Sequence, residues 1–93
     1  MAVRIVYSET ARQSLREIVL FIAGRDAVAA LRLVDEIAGR LETVLGVFPE
    51  AGVRLDDEIR FLIVRRHSVV YRFEAAKGEV VVLDVFGPGM AWR

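Results

Sequence analysis

The chain has 93 residues, 55% of them hydrophobic, with thirteen basic residues balanced by thirteen acidic ones and no cysteine. That length makes one domain, 1–93, and the lack of cysteine excludes disulfides and thiolate chemistry. No apolar run approaches the roughly 18–20 residues of a membrane span. Met1-Ala2-Val3-Arg4-Ile5 carries no signal-peptide pattern, so a soluble cytoplasmic protein is expected. The mean hydropathy of +0.41 is high for a small chain. A domain of this size buries only about 60–65% of its unfolded surface. Some apolar surface is therefore expected to lie under a protein partner.

Val3, Ile5 and Tyr7 alternate along the chain and predict a first strand. Ser8 follows as a helix N-cap, with Glu9 in the first turn. Ala11, Leu15, Ile18 and Ile22 recur at helical spacing, and Val19 and Phe21 widen that stripe. Arg12, Arg16 and Glu17 fall on the wet side, and Gly24 stops the helix. Asp26 caps a second helix whose expected stripe is Val28, Leu31, Val34 or Asp35, Ala38, Leu41 and Leu45. Gly39 inside it suggests close packing against the first helix, and the short link predicts an antiparallel helical hairpin. Pro49 and Gly52, in Phe48-Pro49-Glu50-Ala51-Gly52, end the helical part.

Asp56, Asp57 and Glu58 precede three strands, placed at Ile59–Val64, Ser68–Glu74 and Glu79–Phe86. Lys77-Gly78 turns between the last two. The run Val80–Leu83 predicts a central strand buried on both faces. The first two of these strands meet at a turn of Arg65, Arg66 and His67, framed by Arg60 and Arg72. This segment holds four of the thirteen basic residues and no acidic one, which suits an acidic or anionic partner. The order β-α-α-β-β-β predicts an α+β fold: an antiparallel sheet with an N-terminal helical hairpin on one face.

That order resembles the RelE/ParE toxin superfamily, and its ParE branch in particular. The resemblance rests on Tyr7-Ser8-Glu9-Thr10-Ala11 leading into Leu15–Ala23, on Phe48-Pro49-Glu50-Ala51-Gly52, on Ile59-Arg60 through Val69-Val70-Tyr71-Arg72, and on Val82-Leu83-Asp84-Val85-Phe86-Gly87. It covers nearly the whole chain. It implies the toxin of a type II toxin–antitoxin pair, with a cognate antitoxin that is a ribbon-helix-helix DNA-binding protein. RelE-like members cut messenger RNA at the ribosome, and ParE-like members are associated with inhibition of DNA gyrase.

A metal-free ribonuclease must activate the 2′-oxygen, stabilise crowded phosphate charge and protonate the leaving oxygen. RelE-like toxins resemble one another in using lysines, a late-strand arginine and a C-terminal tyrosine. Here Asp84 stands on the last strand, no tyrosine follows Gly87, and Lys77 and His67 are the sole lysine and histidine. Scattered acids around one histidine do not make a metal site, and Gly87-Pro88-Gly89 is no phosphate cradle. The expected activity is therefore non-enzymatic inhibition of gyrase by protein binding, with no catalytic residue, metal or cofactor, and no sequence-specific nucleic-acid binding. Target contacts are expected at Arg60, Arg65, Arg66, His67, Arg72, Trp92 and Arg93, with Met90 beside them. Antitoxin contacts are expected at Val19, Leu20, Val34, Val44, Leu62 and Val64. The alternatives are a ribosome-dependent nuclease using Arg60, Arg65, Arg66 and His67, and an inactive homologue that only binds antitoxin.

Overall fold

In the computed structural model, which describes residues 3–88, one hydroxyl starts the helical layer and ties it to the sheet. Ser8 Oγ accepts the Ala11 amide at 3.0 Å, capping helix α1 (Glu9–Ala23), and donates to the Leu83 carbonyl at 3.0 Å. Asp26 caps α2 (Ala27–Arg40) in the same way, accepting the Ala29 amide at 3.0 Å. Both caps agree with the sequence expectation. A π-helical turn, Leu41–Leu45, extends α2 and keeps Leu41 and Leu45 fully buried. The strands are β1 (Arg4–Tyr7), β2 (Val53–Arg54), β3 (Ile59–Val64), β4 (His67–Glu74) and β5 (Glu79–Phe86). They form one sheet in the order β1-β5-β4-β3-β2.

The α+β class and the helical hairpin stand as expected, but two features of the sheet differ. A short strand, β2, pairs antiparallel with β3, and β1 pairs parallel with β5. The two are linked by parity. Alternating directions through β1, α1, α2 and three strands would leave β1 and β5 antiparallel. The reversal between β2 and β3 adds one inversion and makes them parallel. Two residues, Val53 and Arg54, are too few for a periodic signal.

α1 packs Ala11, Leu15, Ile18 and Ile22 on the sheet, as expected. Phe21 does not join them: it is exposed, with the Arg25 guanidinium 4.8 Å over its ring. On α2 the buried stripe is Ala30, Leu33 and Ile37, continuing to Leu41. The expected stripe holds at Leu41 and Leu45 but is out of phase before them, where Val28 and Leu31 are 57% and 67% exposed. Both phases fit a 3.6-residue period, because α2 is apolar on two sides. Gly39 faces open space, so it does not serve close helix packing.

β5 is not buried evenly on both faces. Val70 of β4 pairs with Asp84 and Tyr71 with Val82, so Leu83 is the extra residue of a bulge. Val80 and Val82 point into the core, and after the phase shift Val85 does. Asp84 Oδ1 accepts the Val85 amide at 2.8 Å and closes the bulge.

The loop before β2 is stapled to the sheet. The buried Tyr71 Oη accepts the Gly52 amide at 2.8 Å. Arg60 Nη1 donates to the Glu50 and Gly52 carbonyls, each at 3.0 Å. A Cβ on Gly52 would lie 2.5 Å from Tyr71 Oη and 2.7 Å from the Phe61 carbonyl. Gly52→Ala is expected to cost about 1–3 kcal/mol by overpacking. Tyr71→Phe should cost about 1–3 kcal/mol by orphaning a buried amide. Urea melts would measure both. Burial pushes the Tyr71 phenol pKa up, against the Gly52 amide and Arg60. The unfolded chain then loses this proton first, so stability is expected to fall as pH rises above about 10. Tyr71→Phe should flatten part of that loss; the rest belongs to Tyr7, raised by burial and by Glu42.

Candidate functional site

The β3–β4 hairpin turns in two residues. Val64 pairs with His67, so His67 opens β4 and is not part of the turn. Arg65 and Arg66 both take positive φ, +48° and +66°. Such a turn favours Asn and Gly, because a Cβ in this region meets the backbone. Two arginines there cost about 1–2 kcal/mol each. His67 Nδ1 lies 2.8 Å from the Arg65 carbonyl, which only accepts. Nδ1 therefore carries a proton and donates it to that carbonyl.

The basic residues of the hairpin do not share one surface. Arg60 pairs with Tyr71 across the strands and holds the Glu50–Gly52 loop. Arg72 alternates to the opposite face and bonds Glu74, with Nη2–Oε2 at 2.6 Å. Those bonds, with help from Lys77, hold the Glu74 carboxyl below the usual glutamate range. Arg65 reaches Glu36 of α2 at 3.3 Å. Arg66 is exposed and has no ion pair among the described residues. The expectation of one concentrated cationic surface is corrected accordingly: the charge is largely met inside the fold. Met90, Trp92 and Arg93 lie outside the described residues.

Beside the turn, a cleft of about 430 Å³ opens between α1 and the end of β5. Ile18, Phe21, Ile22, Val85 and Pro88 give it apolar walls, and Ser14, Glu17 and His67 are its polar groups. Sequence reasoning missed Ser14 and Glu17. Their signal was the i, i+3, i+7 spacing of Ser14, Glu17 and Phe21 on one face of α1. A histidine and a carboxylate in one cleft can exchange a proton with a ligand. Among the described residues no arginine or lysine lines that cleft, so none of them offsets a developing phosphate charge there. Among the described residues no group of three or more histidines, cysteines or acids could hold a metal ion, and no helix is long and apolar enough to cross a membrane.

The sheet face away from the helices carries Arg72, Glu74 and Asp84, and beside them an apolar patch. Leu55, Phe61, Ser68, Val70 and Phe86 line a groove of about 220 Å³ on it. Ile63 on the same face of β3 is 48% exposed.

The family described as the ParE toxin of the type II toxin–antitoxin system parDE matches residues 5–92. The chain belongs to the ParE toxin family. No curated protein matches it. A chain of the chromosomal ParDE system from P. aeruginosa shares the fold at TM-score 0.75 and 16% identity, covering 92% of this chain and 96% of that one. A chain of the RelBE2 toxin–antitoxin complex from Mycobacterium tuberculosis does so at TM-score 0.65 and 16% identity, with coverage of 94% and 99%. The isolated E. coli RelE toxin superposes at TM-score 0.60 and 18% identity, covering 97% and 88%.

On this ParE-family chain the expected antitoxin contacts fall into two groups. Val19 and Val34 line a groove of about 480 Å³ between the helices, with Tyr7, Arg12, Leu15, Arg16 and Ala38. Leu20 is 65% exposed. Val64, at 2% exposure, belongs to the core, and Val44 and Leu62 pack against it. Val64 therefore offers a partner no surface, whereas Val44 and Leu62 are half-buried. Arg60 likewise serves the fold. Arg60→Ala is expected to cost about 1.5–3 kcal/mol, the range for hydrogen bonds to a charged group. Arg72→Ala should stay within about 1 kcal/mol, as a part-exposed pair. Chemical denaturation of the two variants would separate them.

Proposed function

We propose that this ParE-family toxin inhibits DNA gyrase by protein–protein binding, breaks no bond itself, and is neutralised by a cognate antitoxin. The observation that carries this reading is the character of its two open surfaces. The uncovered sheet face is a groove of leucine, phenylalanine and valine side chains, and the cleft beside His67 has apolar walls. Apolar faces with few charges suit another protein surface. Phosphodiester cleavage would need cations around the scissile group. Asp84, on the last strand, instead closes the bulge with its carboxylate.

The groove holding Val19 and Val34 suits an amphipathic helix, the form in which a ribbon-helix-helix antitoxin would lay its free end on the toxin. The structural neighbours are themselves parts of toxin–antitoxin systems, which supports a partner of that kind.

One observation favours the second reading, ribosome-dependent mRNA cleavage: His67, Glu17 and Ser14 share a cleft. The two readings separate cleanly. The purified toxin is expected to stop supercoiling by gyrase. Induced cells should filament with a DNA-damage response while translation continues. Normal supercoiling at large toxin excess would remove the gyrase reading. New codon-linked 5′ ends in primer extension, lost in His67→Ala, would put the nuclease in its place.

A further inference from the structure

We infer that the Arg65–Arg66 turn is a strained display element that presents the Arg66 guanidinium to a carboxylate on the toxin's protein target; this rests on the reading of the chain as a protein-binding toxin. Both turn residues sit at positive φ, where glycine or asparagine would fold with less strain. Strain of this kind persists where the side chain it carries has a use. Arg65 has a use within the fold, since Glu36 holds it at 3.3 Å. Its carbonyl also fixes the His67 ring. Arg66 makes no ion pair among the described residues, although the other arginines of the hairpin are engaged.

The turn is braced from both sides, by Glu36 on α2 and by His67 on β4, so the guanidinium projects from a fixed base. A braced backbone leaves only the side-chain rotamers to be ordered on binding, and a carboxylate matches the guanidinium fork with two parallel hydrogen bonds. A nucleic-acid backbone fits less well. Polyanion binding needs several phosphate contacts, and in this turn Glu36 already meets the charge of Arg65, which leaves one unpaired guanidinium.

The test uses the full chain with Arg66→Gly, Arg66→Ala, Arg66→Lys and Arg66→Glu. Arg66→Gly relieves the strain and removes the charge, and its Tm is expected to rise by about 4 °C or more. Toxicity on induction should fall at least tenfold in Arg66→Gly, Arg66→Ala and Arg66→Glu, and be partly kept in Arg66→Lys. Arg66→Ala, which keeps the strain, separates the charge from the backbone. Full toxicity in Arg66→Glu, no rise in Tm in Arg66→Gly, or retention of linear duplex DNA that depends on Arg66 would each overturn the inference. If the wild-type chain is toxic but leaves gyrase supercoiling intact, the gyrase reading falls, and loss of toxicity on removing Arg66 still supports the display element. A wild-type chain without toxicity would remove both.

Discussion

The buried phenol of Tyr71 is the contact on which the geometry of the sheet depends. It sits on β4, accepts the Gly52 amide, and leaves no room for a side chain at Gly52. Arg60, its cross-strand neighbour, holds the same loop by two carbonyls. A buried hydroxyl with a backbone partner is stable only while the partner stays in register. The contact therefore fixes where the chain leaves the helices and enters β2. β2 in turn supplies the reversal that leaves β1 and β5 parallel. The apparent motifs of the loop and of the β3–β4 hairpin are two halves of one structural device.

A second constraint acts at the other end of the sheet. The Leu83 bulge shifts the phase of β5, so that Val85 follows Val80 and Val82 into the core. Ser8 binds the Leu83 carbonyl and caps α1 with the same oxygen. The helical layer is thus anchored where the sheet is least regular. Asp84 satisfies the local Val85 amide with its carboxylate. A carboxylate that looks in sequence like a lost catalytic position has a backbone duty in the fold.

Elements with a local cause were legible in the sequence. Ser8 and Asp26 cap helices by bonding amides three residues on, and Pro49 and Gly52 end them. The strands of the hairpin follow from their alternation. What failed to show was set by long-range choice. α2 offers two apolar stripes, and only the sheet decides that Ala30, Leu33 and Ile37 go inside. Arg60 and Arg72 read alike as strand residues, yet alternation sends them to opposite faces, one to a loop and one to Glu74. Glu17 is solvent-facing as its place off the apolar stripe implied, yet it lines the same cleft as His67, which no local pattern shows. The positive φ of Arg65 and Arg66 has no sequence signature, because neither residue type favours it.

These placements divide the molecule's surface by purpose. Within the hairpin Arg60, Arg65 and Arg72 are spent on a loop and on neighbouring carboxylates, and Arg66 makes no ion pair among the described residues. The cleft beside His67 and the groove on the outer sheet face instead have apolar walls. Such a division favours recognition over bond cleavage: a protein partner gains from apolar area excluded from water, and a scissile phosphate gains from clustered cations. Leu20, Phe21, Val28 and Leu31 remain exposed at the connecting end of the helical hairpin, far more apolar surface than a chain of this size needs to keep in water. Hydrophobic groups in that position weaken solubility unless something covers them. A protein partner laid over this end of the hairpin would meet that condition by supplying the missing layer.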